Sequence, residues 1–129
     1  SLEIDSRLLE IDFGKLEGMT FKEASAVYPG TTDSWQALAG DFSFPSGENF
    51  RDFDSRCEAM AEAARNAPDE NVMLVAHGGV LRGISCHPLA VEADGPLRFR
   101  LAYAALTSVE IFDGGGAILT GFNVGRTEP

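Results

Sequence analysis

The residue best placed to do chemistry is His77, the first polar side chain after the apolar run Val72-Met73-Leu74-Val75-Ala76, and Gly78-Gly79 follows it at once. A histidine at the end of a strand, beside the free N–H groups of a starting helix, can hold or transfer charge near neutral pH. The helix amino terminus adds a partial positive charge, so the local pattern describes a place for an anion. The same pattern also fits a histidine that only caps a turn, beside glycines that only satisfy the backbone. Glu10 is the second candidate. It lies among Leu8, Leu9, Ile11 and Phe13, and an apolar surround suits a carboxyl group to general-acid work, unless the segment is an exposed edge. Glu48 is the third, an acid just before a helix, where a favourable charge near the dipole is already sufficient reason for it.

These side chains need elements to hold them. Five apolar residues without alternation, introduced by Pro68-Asp69-Glu70-Asn71, predict a short strand buried on both faces inside a parallel sheet. A tight turn at Gly78-Gly79 and a helix from Val80 to Cys86 follow, and ligands of open α/β sheets lie outside such strand ends. Earlier in the chain, Thr20 and Glu23 form a capping box for a helix through about Tyr28, stopped by Pro29-Gly30. Thr32 or Asp33 caps a second helix, Ser34 to Ala39, with Trp35 as a packing residue. Gly40 to Glu48, broken by Pro45 and Gly47, reads as a loop. The longest helix runs from about Phe50 to Asn66 behind an Asn49 cap. Phe50, Phe53, Cys57, Met60, Ala61 and Ala64 form its apolar stripe, and Arg51, Asp52, Glu58, Glu62 and Arg65 its solvated face. Pro88 and Gly95-Pro96 interrupt the next stretch. Ala105 to Phe112, the turn Asp113 to Gly116 and Ala117 to Phe122 then predict a hairpin at the sheet edge, ahead of a loose Arg126 to Pro129 tail. The expected architecture is a three-layer α/β sandwich with Val72 to Ala76 inside the sheet and Gly18 to Gly47 as a cap over the strand ends.

Composition narrows the partners. The chain has 129 residues, 44% hydrophobic, which suits a single domain with a core. Ten basic against twenty acidic residues give a net charge of −10, which disfavours nucleic acid or an anionic membrane as the main partner. Cys57 and Cys86 are too few for a disulfide framework and read as reduced packing residues. With no bilayer-length apolar run and no basic-then-apolar leader, a soluble cytoplasmic protein is expected.

Leu9-Glu-Ile-Asp-Phe-Gly-Lys-Leu-Glu-Gly-Met-Thr20, then Pro45-Ser-Gly-Glu48, then Val75-Ala-His-Gly-Gly79 and a late Asn123 resemble, in that order, the histidine phosphatase superfamily. That group includes cofactor-dependent phosphoglycerate mutase, fructose-2,6-bisphosphatase and α-ribazole phosphatase. The resemblance covers about Arg7 to Asn123. It implies a phosphoglycerate mutase-like sandwich that hydrolyses a small phosphorylated metabolite through a phosphohistidine, with no metal or other cofactor. Glu10 would be the proton donor to the leaving oxygen, His77 would hold a phosphoryl oxygen and Gly78 would lie in the same pocket. Glu48 and Asn123 would be further substrate-binding positions.

The family's nucleophile is a histidine in an Arg-His-Gly motif at the end of the first strand, and a second arginine completes its pocket. Neither motif is present; His77 and His87 are the two histidines, and His87 fits no family motif. The resemblance therefore implies the carboxyl-terminal two-thirds of such an enzyme, inactive alone. Its gap would be filled by a missing amino-terminal segment, by a second polypeptide or by self-association. The Phe42 to Gly47 loop has no Lys or Arg, which favours a monophosphate with an apolar or sugar-like remainder over a bisphosphate. The alternatives are a non-catalytic binding or regulatory domain of the same fold, or a phosphoglycerate mutase. A serine esterase fails because no Gly-x-Ser-x-Gly elbow or catalytic histidine follows Gly79. A zinc site from Cys57, Cys86, His77 and His87 lacks any Cys-x-x-Cys spacing.

Overall fold

The structure is a computed structural model that describes residues 2–37, 41–92 and 99–125. The expected helix end at Ala39, the loop start at Gly40, the Gly95-Pro96 break and the Arg126 to Pro129 tail lie outside the described residues. The chain forms two compact units, one of Ile11–Arg56 and one of Ser1–Glu10 with Cys57–Pro129.

In the first unit, the 3-10 turn Gly14–Leu16 leads to helix α1, Phe21–Val27. The capping box forms as expected. Thr20 Oγ1 accepts from the Glu23 amide at 3.2 Å and the Glu23 carboxylate accepts from the Thr20 amide at 2.7 Å. Helix α1 ends at Val27, just before Pro29-Gly30 as expected, and helix α2, Pro29–Gln36, starts earlier than expected, because a proline in the first turn forfeits no intrahelical bond. Thr32 is consequently no cap, and neither it nor Asp33 precedes the helix. Thr32 is buried within α2 and donates to the Tyr28 and Pro29 carbonyls.

Trp35 packs as expected, its ring centroid 5.4 Å from Phe13, 5.8 Å from Phe21 and 5.5 Å from Phe44. The loop before the long helix supplies the middle of this cluster, since Phe42 and Phe44 are both buried. The loop is tied back on the chain: the Lys15 amide donates to the Pro45 carbonyl at 2.8 Å and the Glu48 amide to the Asp12 carbonyl at 2.9 Å. Gly14 makes that approach possible. Its φ is +54°, and a Cβ there would lie 2.7 Å from the Ser46 carbonyl carbon and closer still to other backbone atoms.

Helix α3, Phe50–Arg65, begins at the expected cap, with Asn49 Oδ1 accepting from the amides of Arg51 at 2.9 Å and Asp52 at 3.3 Å. Phe53, Cys57, Met60 and Ala61 of its apolar stripe are buried, while Arg51, Asp52, Glu58, Glu62 and Arg65 are exposed. In the second unit, helix α4, Gly78–Cys86, buries Val80, Ile84 and Cys86. Both cysteines are buried and neither forms a disulfide. Strands β1, Leu106–Ile111, and β2, Ala117–Val124, form the expected antiparallel hairpin, in a register pairing Ile111 with Ala117 and Leu106 with Val124.

The central strand is the main correction. Val72 to Ala76 joins no ladder, and among the described residues the only sheet is the two-stranded hairpin. Met73 and Val75 are each 77% exposed, and Val72 43%. An apolar run states a need for burial, but a strand becomes a strand only when neighbours pair its N–H and C=O groups. The helix after it also starts earlier than the sequence suggests. Gly78 and Gly79 are the first residues of α4, not a separate turn before Val80. No helix among the described residues is long and apolar enough to cross a membrane.

Candidate active site

The arm bearing Glu10 is pinned to its own unit. Asp5 Oδ1 accepts from the Arg7 amide at 2.9 Å and opens the 3-10 turn Ser6–Leu8, while the Arg7 guanidinium bonds the same carboxylate and donates to the Ala59 carbonyl at 3.1 Å. The hydrogen bond from the Arg7 side chain holds the Asp5 carboxyl down at about 2, and Asp5 in turn raises Arg7. Two residues on, Leu9 is exposed and Ile11 is buried, so the apolar surround expected for Glu10 exists only in part.

What Glu10 does have is the amino terminus of α4. Its Oε2 accepts from the Gly79 amide at 2.8 Å and its Oε1 from the Val80 amide at 2.8 Å. The anion at the amino terminus of this helix is thus the chain's own carboxylate. His77 is the residue immediately before the helix, with φ −84° and ψ 161°, and its side chain makes no capping bond. The imidazole is exposed. The cap of this helix is therefore Glu10, brought in from 69 residues away. Gly78 is exposed, and nothing lies within 4 Å of the position its Cβ would take. Arg82 reaches back along α4, donating from Nε to the Gly78 carbonyl at 3.2 Å and from Nη1 to the Phe99 carbonyl at 3.5 Å.

Glu48, in the first unit, is more than a charge near a helix. Its carboxylate takes a two-point grip from Arg56, Nε to Oε1 at 2.7 Å and Nη2 to Oε2 at 3.0 Å, and Oε2 also accepts from the Asp12 amide at 3.2 Å. Arg56 lies over the Phe53 ring, 4.8 Å from its centroid. Sequence reading missed this guanidinium. The signal was an arginine two turns into the helix that follows an acidic residue, and the pairing depends on a loop-to-helix bend that spacing does not show. Asn123, in the second unit with φ +51°, spans a neighbouring segment: its Oδ1 accepts from the Ala102 amide at 2.8 Å and its Nδ2 donates to the Arg100 carbonyl at 2.8 Å. The structure therefore brings Glu10 to the helix that His77 and Gly78 begin, while Asn123 holds a backbone elsewhere in the same unit. Among the described residues no three His, Cys, Asp or Glu side chains gather as a metal site.

The model of the histidine phosphatase superfamily (branch 1) matches residues 1–124, and the chain belongs to that family. It is 33% identical over 92 residues to the metal-independent phosphoserine phosphatase of Arabidopsis thaliana, covering 70% of this chain and 39% of that protein. It is 36% identical over 89 residues to the 6-phosphofructo-2-kinase/fructose-2,6-bisphosphatase of Caenorhabditis elegans, covering 68% of this chain and 18% of that one. The fold is that of the α-ribazole phosphatase from Shigella flexneri, with a TM-score of 0.77 at 22% identity over 95% of this chain and 61% of the other. The mixed α/β fold expected from the sequence is thus shared with solved phosphatases. The chain spans 54% or less of the length of the curated relatives it matches.

Proposed function

We propose that the full-length protein is a metal-independent phosphoric monoester hydrolase that works through a phosphohistidine, with the accepting histidine supplied from outside these 129 residues. The observation that supports this most is the meeting of Glu10 with the first turn of α4, directly after His77. In the proposed cycle a histidine nitrogen attacks phosphorus in line, and the P–O ester bond breaks as Glu10 gives its proton to the departing oxygen. Water then attacks the phosphorus, its proton passes to Glu10, and the P–N bond returns its electrons to the imidazole. His77 and the Gly78 N–H stabilise charge on the equatorial oxygens.

For substrate, the reading is a small monophosphate with an apolar or sugar-like remainder, selected by the cap segment Gly18 to Gly47. Within that segment Phe42 and Phe44 turn into the core, so the loop offers the exposed Ser43 and Ser46 and no cation. Glu48 and Asn123 are proposed as supports of the binding surface, Glu48 through Arg56. The test is aryl phosphate hydrolysis by the full-length protein, with competition by mono- and bisphosphorylated sugars. Glu10→Ala and His77→Ala should each lower turnover by about a hundredfold or more. The 129-residue chain alone should show none. Wild-type rates in both variants would remove the proposal.

A further inference from the structure

We propose that Gly79 is the positioning residue for the Glu10 carboxyl group, and that it acts through the space its missing side chain leaves. The inference rests on the reading of Glu10 as proton donor. Any residue but proline would offer the amide that Oε2 accepts, so the N–H alone does not call for glycine. The space does. A Cβ at Gly79 would lie 2.8 Å from both Cδ and Oε2 of Glu10 and closer still to Oε1. The carboxyl group would have to leave the two amides together, because Gly79 and Val80 hold one oxygen each.

The backbone conformation of the position does not ask for glycine. Gly79 is not among the residues with positive φ, and it sits in the first turn of α4, where alanine is the better helix former. The three nearest obstructions to a Cβ all belong to the far end of the flexible Glu10 side chain, which can swing aside. Gly79→Ala should therefore spare the fold and misplace the acid, and displacements of about an ångström are enough to cost a large share of a rate.

The experiment compares Gly79→Ala, Glu10→Ala and the double variant in the full-length protein. Two substrates are used: an alkyl phosphate, whose leaving oxygen needs a proton, and dinitrophenyl phosphate, whose leaving oxygen does not. Gly79→Ala should lower kcat on the alkyl ester by about 10- to 100-fold with KM nearly unchanged, and much less on the dinitrophenyl ester. Its thermal midpoint should stay close to that of wild type, because the helix propensity of alanine offsets the lost cap. In the Glu10→Ala background the glycine change should add nothing, since no oxygen remains to be displaced. The proposal is overturned by wild-type kcat in Gly79→Ala, by equal losses on the two esters, by losses that multiply in the double variant, or by a collapse of the thermal midpoint. A slow Glu10→Ala beside a normal Gly79→Ala would sink this inference alone. A normal Glu10→Ala would sink the proton-donor reading and this inference with it.

Discussion

At the scale of single residues, the same kind of side chain does different work according to who donates to it. Glu10 takes two backbone amides, whereas Glu48 and Asp5 each take a guanidinium and an amide. Asp5 gives the pH dependence its sign. Its folded-state carboxyl is lowered to about 2, below the usual aspartate value of about 4, so the protein gains stability from its ionised form above that usual value. That gain fades as pH falls from about 4 through about 2. Asp5→Asn should lower the thermal midpoint at pH 7, and the difference from wild type should vanish near pH 2. A scan of midpoint against pH checks it; a difference unchanged in acid would show that the Arg7 pairing is not its source.

At the scale of elements, the first unit depends on two loops that touch by their backbones. Gly14 and Gly47 face one another there, a Cβ on Gly47 falling 2.7 Å from the Gly14 nitrogen. Gly14→Ala combines positive-φ strain with a clash that no side chain can relieve. It should cost on the order of 3 kcal/mol, read as a lowered urea midpoint at unchanged slope. It should also loosen Glu48, whose amide is tied to Asp12 in the same contact. Helices α1 and α3 were legible because their signals are local: a capping box, an Asn49 cap, a stripe at helical spacing. The start of α2 was misread for the same reason. Pro29 both follows the end of α1 and opens α2, since a residue that cannot continue one helix fits the first turn of the next.

At the scale of the whole molecule, Val72 to Ala76 is apolar, exposed at Val72, Met73 and Val75, and without a ladder partner among the described residues, which makes it a template for pairing with another chain. The 129-residue chain should associate in a concentration-dependent way, and Met73→Lys with Val75→Lys should reduce that association. Sizing with light scattering is the measurement. A monodisperse monomer over a wide concentration range would count against the reading.

The residues that match the family, helices α1 and α3, the hairpin and the reduced cysteines were all readable from the sequence, because each depends on side-chain type and near spacing. Three things were decided only in three dimensions. Whether Val72 to Ala76 is a buried strand depends on neighbours that its own residues cannot specify. That Glu48 is gripped by Arg56 depends on the bend into α3. That the anion place at α4 is filled by Glu10, and that Gly79 leaves room for it, depends on two segments 69 residues apart meeting at one helix end, a contact between distant parts that no local pattern encodes.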